Sequence, residues 1–168
     1  LFEMVAQPCS FQPNDEANWK VALPRFIERN LRIKAEIVAA DEREHADVRS
    51  LLNFGHTIGH AIEYAAGYGS ILHGEAISLG MVAAAHVSVR RAGLSLGEAE
   101  KIAAALRVHQ LPTTLPADFP RAKIFQALQR DKKFEQGRIR FVVAHEIGRA
   151  SISGEVRMED LRAAVDAL

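Results

Sequence analysis

The sequence predicts a mainly α fold: a multi-helix domain spanning residues 1–168, with one small β-hairpin near 138–156. Three observations predict it. Apolar residues recur at helical spacing through most of the chain up to about residue 130. Only one stretch, 138–143, alternates in the manner of a half-buried strand, and 150–156 offers it an antiparallel partner across Gly148. The chain has 168 residues, 48% of them hydrophobic and 25% charged, enough for one domain with a real core and no repeats or low-complexity segments.

Over 14–44, Trp19, Leu23, Phe26, Ile27, Leu31, Ile37 and Val38 fall near helical spacing, and Pro24 interrupts them, which leaves two helices or one with a break. A charged run, 41–45, follows. A new helix is expected from about Val48, carrying the stripe Leu51, Leu52, Ile58, Ala61, Ile62 and Ala65, and the glycines at 67 and 69 end it. The next helix, from about Gly74 to about Arg91, is apolar on most faces, the mark of a central helix. Gly93 offers its C-cap, and Ser95 with Glu98 reads as a capping box opening a helix through about Arg107. Pro112, Pro116 and Pro120 mark an irregular connection, 121–130 a short amphipathic helix, and Met158 onward a closing helix.

Composition removes some function classes. Lys plus Arg total 21 and Asp plus Glu total 21, so neither nucleic acid nor an anionic membrane is an expected partner. No apolar run reaches the ~18 residues of a membrane span, and the first residues lack the basic start and apolar core of a signal peptide. The lone Cys9 excludes an internal disulfide and suits a reducing, cytoplasmic location.

The densest chemistry lies at 49–63 and 72–76, where three of the seven histidines fall within 18 residues. His56 and His60 are four apart, so a helix carries both on one face, a familiar arrangement for two imidazoles on a divalent metal. His73 follows a glycine-rich turn at the start of the next helix. The plainer readings are that each histidine is a hydrogen-bonded core or surface residue, and that Glu63, Glu75 and the 41–45 run are solvated surface. Gly55 and Gly59, also four apart, leave a strip of bare backbone. By default such a strip serves helix packing, and otherwise it permits close approach by a ligand.

The string LLNFGHTIGHAIEYAAGYGSILHGEAISLGM (51–81) closely resembles the signature of the 3-dehydroquinate synthases, in the sugar-phosphate cyclase superfamily. Separate blocks extend the resemblance: KAEIV (34–38), the acidic 41–44 segment, Arg49, and DKK (131–133) ahead of Gly137. It covers most of the chain from about 34 to 148. It implies the multi-helix C-terminal domain of the dehydroquinate-synthase-like fold, with the N-terminal NAD-binding domain absent from this chain. It also implies conversion of DAHP to 3-dehydroquinate plus phosphate, in the shikimate pathway of aromatic amino-acid biosynthesis, by a cytoplasmic lyase that is a homodimer at full length. NAD accepts and returns a hydride in that chemistry, and a divalent metal, Zn2+ or another such as Co2+, polarises the hydroxyl that is oxidised.

Carried over position by position, the resemblance implies His56 and His73 as metal ligands, in place of the His56/His60 pair that spacing alone favours. The family's third ligand is a Glu from an earlier segment. His60 and Glu44 take the catalytic roles, and Lys34, Arg49, Asn53, Lys132 and Lys133 bind substrate, with Arg49 offering a planar fork to a carboxylate. Four residues separate Glu44 from Arg49 where the family pattern has three, so Glu42 or Asp47 competes with Glu44. Two other readings remain. A sibling cyclase would share His56 and His73, and an isolated domain without the missing half would be a stable helical body with an incomplete site. An exposed apolar face would favour the latter.

Overall fold

The computed structural model describes residues 2–6, 16–41, 48–67, 69–130, 134–135 and 138–168. In chain order these form α1 (Phe2–Val5), α2 (Glu16–Ala40), a 3-10 turn (Val48–Asn53), α3 (His56–Ala66), α4 (His73–Arg91), α5 (Leu96–Val108) and α6 (Arg121–Arg130). Then come β1 (Phe134–Glu135), β2 (Arg138–Glu146), β3 (Arg149–Arg157) and α7 (Met158–Asp166). The mainly α expectation holds. The expected hairpin is β2–β3, antiparallel, with Ile139 opposite Val156 and Val142 opposite Ile152. β1 adds a short third strand on the outer side of β2, which the sequence reading lacked, as it lacked α1.

α4 is central because its middle is apolar on most faces, with its charged residues at the two ends. Ala76, Leu79, Val82, Ala83, Ala84, Ala85 and Val87 are buried, and the helix packs on α3, α5, α7 and β2. Its two buried serines are satisfied. Ser88 Oγ donates to the Ala84 carbonyl at 2.7 Å and accepts the Ala144 N–H of β2 at 2.9 Å. Ser78 Oγ donates to the Pro112 carbonyl at 2.8 Å, tying down the proline-rich connection. On α3, Ile58 and Ile62 are fully buried one turn apart, each worth about 2 kcal/mol of apolar transfer. They meet Ile124 and Leu128 of α6, Phe141 of β2 and Leu161 of α7 in one core.

Two local expectations need correction. Pro24 lies inside a single helix, α2. Its missing N–H withholds the bond that residue 24 would otherwise give the Lys20 carbonyl, but both residues are exposed, so water can reach that stretch of backbone. The helix expected from Val48 is instead a 3-10 turn followed by α3, and Gly55 separates them at φ +83°, a conformation that other residues rarely adopt.

α7 is anchored by Asp160, which is fully buried. Its Oδ2 accepts the Arg157 N–H at 3.0 Å and Arg91 Nε at 2.8 Å, and Oδ1 faces Arg90 Nε at 3.5 Å. Burial by itself would raise this carboxyl. The Arg91 and Arg157 hydrogen bonds and the two guanidinium charges outweigh burial and hold it below the usual carboxylate range. At the start of α5 the expected Ser95–Glu98 cap is made by side chains: Ser95 Oγ accepts the Glu98 N–H at 3.2 Å and donates to Glu98 Oε2 at 2.8 Å. Glu98 Oε1 also takes the Ile147 N–H at 3.0 Å, and that bond is the main reason its carboxyl is lowered.

Candidate functional site

The site is framed by the contact of α3 with α4. A Cβ placed on Gly80 would lie 2.2 Å from the Gly55 carbonyl oxygen and 2.6 Å from the Gly59 nitrogen. One on Gly59 would meet Ile77 Cδ1 at 2.7 Å. The bare strip of Gly55 and Gly59 thus serves helix packing, and it seats α3 backbone directly on α4 backbone. That contact brings His56 and His60, on the first turns of α3, beside His73, the first residue of α4.

The three imidazoles form a nearly equilateral triangle. Ring centroids are 5.5 Å apart for His56 and His60, 6.0 Å for His56 and His73, and 5.7 Å for His60 and His73. His56 is half-buried, and the other two are exposed. His73 Nδ1 lies 3.1 Å from Glu63 Oε2, and His56 Nδ1 lies 3.4 Å from the Phe54 carbonyl, a long bond. Both partners are acceptors, so in a neutral ring each contact favours the tautomer with the proton on Nδ1 and the lone pair on Nε2.

A divalent metal fits this pair of rings. Two imidazoles on one tetrahedral ion place their centroids ~5 Å apart, given metal–nitrogen bonds of about 2.1 Å, and the 6.0 Å here needs only a small adjustment. Ligating histidines characteristically give the other ring N–H to a carboxylate or carbonyl, as His73 and His56 do. Two donors are fewer than the three that catalytic zinc sites take from protein. Among the described residues, no three His, Cys, Asp or Glu side chains converge closely enough to bind a metal as they stand.

The 3-10 turn leads into this cluster. Asp41, at the end of α2, is buried, and its Oδ2 accepts the Val48 N–H at 2.8 Å and the Arg49 N–H at 3.5 Å. Arg49 is half-buried on that turn, and Asn53 is exposed at its end, three residues before His56. Lys34 is exposed on α2, which packs chiefly on the same turn. Glu44, Lys132 and Lys133 lie outside the described residues, as do the competing Glu42 and Asp47.

Three residues read as solvated surface have partners. Asp41 caps the turn that carries Arg49, Glu63 holds His73, and Glu75 Oε2 accepts the Leu72 N–H at 2.9 Å, closing the start of α4. Glu63 was legible in principle, since it lies three residues after His60 and seven after His56, on the same helical face. An open cleft of about 720 Å3 beside the proline-rich connection is lined by Ile71, Glu75, Leu79, Arg107 and Phe119 among others, with none of the three histidines.

Fold and site together define a mainly helical domain that carries three clustered histidines where α3 meets α4. Two solved structures share the fold. One is ValA, the 2-epi-5-epi-valiolone synthase of Streptomyces hygroscopicus subsp. jinggangensis 5008, with NAD+ and Zn2+ bound, at TM-score 0.71 and 23% identity over 99% of this chain and 45% of that one. The other is a 2-deoxy-scyllo-inosose synthase complexed with carbaglucose-6-phosphate, NAD+ and Co2+, at TM-score 0.74 and 22% identity over 98% of this chain and 50% of that one.

The family is narrower than the fold. Residues 2–134 match the family described as 3-dehydroquinate synthase C-terminal, and the chain belongs to it. A 3-dehydroquinate synthase of Thermodesulfovibrio yellowstonii is 45% identical over 143 residues, covering 85% of this chain and 40% of that protein. The chain spans about two-fifths of the length of the curated relatives it matches. Among the described residues no helix is long and apolar enough to cross a membrane.

Proposed function

We propose that this chain is the C-terminal, metal- and substrate-binding domain of a 3-dehydroquinate synthase, which converts DAHP to 3-dehydroquinate with loss of phosphate. The observation that carries the reading is the pair His56 and His73, brought together from two helices with each Nδ1 engaged by an acceptor, in a chain of this family. Kinship at 45% identity with a protein named 3-dehydroquinate synthase favours this substrate over that of a sibling cyclase.

In this reading His56 and His73 hold Zn2+ or Co2+, with a third, carboxylate ligand from a segment outside the chain. The bound ion supplies Lewis acidity at the substrate hydroxyl that is oxidised. NAD, held by an N-terminal domain of the longer protein, supplies a reversible hydride acceptor. The remaining work falls to side chains of this chain. Arg49 takes the substrate carboxylate as a planar fork, and its backbone is fixed by Asp41. Lys34 adds a second positive charge, Asn53 hydrogen-bonds a substrate hydroxyl, and Lys132 or Lys133 holds the phosphate. His60 sits a ring's width from both ligand imidazoles, where it can pass a proton to or from a substrate oxygen, and Glu44 serves as a second proton carrier.

The chain alone is an incomplete enzyme in this reading, because its site is open. His60 and His73 are exposed, and so are the large apolar side chains Leu52, Tyr64 and Leu72, as are Val21, Ile27 and Leu31 on α2. Apolar surface of this kind suits packing by another domain. The longer protein is read as a cytoplasmic homodimer of the shikimate pathway, in keeping with the single cysteine.

The test is phosphate release from DAHP with NAD and Zn2+, by this chain and by the longer protein in parallel. Release by the longer protein alone is the expected result. Turnover by the short chain would overturn the two-domain reading. Failure of both, with turnover of another sugar phosphate, would move the assignment to a sibling cyclase.

A further inference from the structure

We infer that Glu63 is the positioning residue of His73, fixing the imidazole so that Nε2 is the nitrogen offered to a metal. The inference rests on the metal-site reading above and deepens it. His73 needs such a partner more than His56 does. It is the first residue of α4, follows a loop, and its side chain is 57% exposed, so packing does little to select a rotamer or tautomer. Glu63 Oε2, at 3.1 Å from Nδ1, is the contact that selects both. A proton on Nδ1 leaves the lone pair on Nε2, and a carboxylate acceptor makes that lone pair a better donor to a cation.

Glu63 can do this because its own helix is held rigidly. α3 is pinned by the buried Ile58 and Ile62 and by backbone contact of Gly55 and Gly59 with Gly80. One face of α3 thus carries His56, His60 and, two turns beyond His56, the carboxylate that reaches across to α4. α3 supplies one ligand directly and orients the other from a distance.

The pair also has the exposure of an outer partner. Glu63 and His73 side chains are 41% and 57% exposed, and contacts so placed add little to folding. Removing the carboxylate should therefore change metal affinity without changing the stability of the metal-free protein.

The experiment uses the longer protein, with Glu63→Gln, Glu63→Ala and His73→Ala variants. Zn2+ affinity is read by competition with a chromogenic chelator, site geometry by the visible bands of Co2+, and stability by thermal melting of the metal-free forms. Glu63→Ala is expected to weaken Zn2+ binding by about 10- to 100-fold and to shift the Co2+ bands. Glu63→Gln should weaken it less, since its amide oxygen still accepts from Nδ1. Metal-free melting temperatures should match wild type.

Wild-type affinity in Glu63→Ala, alongside lost affinity in His73→Ala, would overturn the inference and leave the metal site standing. A loss in Glu63→Ala as complete as in His73→Ala would make Glu63 a ligand and overturn the positioning role. A lowered metal-free melting temperature would make the contact structural, and would overturn it too. Unchanged affinity in His73→Ala would sink the metal-site reading itself.

Discussion

Alanine at Gly80 tests the frame on which the site is built. In an ordinary helix interior Gly→Ala stabilises by about 1 kcal/mol, because alanine has the higher helix propensity. Here the added Cβ would sit 2.2 Å from the Gly55 carbonyl oxygen and 2.6 Å from the Gly59 nitrogen. Ordinary contact begins near 3.4 Å, so α3 and α4 must part by about 1 Å. Both clashing atoms are backbone, so no rotamer change relieves them. Overpacking of this kind costs about 1–3 kcal/mol, so after the propensity gain the net effect should be destabilising by about 1 kcal/mol. The same displacement carries His56 away from His73. Their rings are 6.0 Å apart and already wider than one ion prefers, so Zn2+ affinity should fall at least tenfold. Gly97→Ala is the control, since Gly97 lies near the start of α5 and an added methyl there would meet nothing within 4 Å; it should be neutral or slightly stabilising. Urea melts and chelator competition read both effects. A Gly80→Ala protein as stable as wild type with unchanged metal affinity would refute the reasoning.

Asp160→Asn should destabilise by about 3 kcal/mol at neutral pH, the low end for breaking a buried pair because Arg91 is partly exposed and can rehydrate. The Asp160 carboxyl is held below its unfolded value of about 3.9, so its contribution is present above that pH and fades as pH falls through the folded value. Wild-type and variant urea midpoints should therefore converge below about pH 4, and a constant gap down to pH 2 would contradict the account. Ser88→Ala removes the acceptor of the buried Ala144 N–H and should cost about 1–3 kcal/mol by thermal melting, against almost nothing for Ser→Ala at exposed Ser70. Chelation of the longer protein should abolish phosphate release, and Zn2+ or Co2+ should restore it; full activity after exhaustive chelation would exclude the metal role of His56 and His73.

Much of the fold was legible because it is set by local periodicity. α4 declared itself central by being apolar on most faces, and the Ser95–Glu98 pair marked the start of α5 from four residues of sequence. What was missed depends on contacts between distant segments. The apolar stripe from Leu51 to Ala65 reads as one helix, but Leu52 is exposed and Gly55 breaks the run, because its carbonyl must pass over Gly80, 25 positions later. β1 and α1 are too short to show a period. Asp41 looks like surface charge because nothing in the sequence names its partner, the Val48 N–H seven positions on; Glu63 shares a face with His56 and His60, but its partner, the His73 ring, lies across a helix pair.

The site divides in the same way, and the division bears on what the chain can do. Its frame is buried and specified within the chain: glycine against glycine, Ile58 and Ile62 in the core, Asp41 beneath the turn that carries Arg49. The side chains given roles in the proposed function stand at the surface: His60, His73 and Asn53, with the exposed Leu52 and Leu72 adjacent in sequence to Asn53 and His73, and Tyr64 one turn on from His60. Hydride chemistry needs the reverse of an open surface, since water weakens every charge contact and competes for the metal. If His56 and His73 are ligands as proposed, this rigid base is one part of an enclosed site. On the proposed function, the longer protein brings a cover, a hydride acceptor and a third ligand, the division of labour expected when catalysis sits in the cleft between two domains.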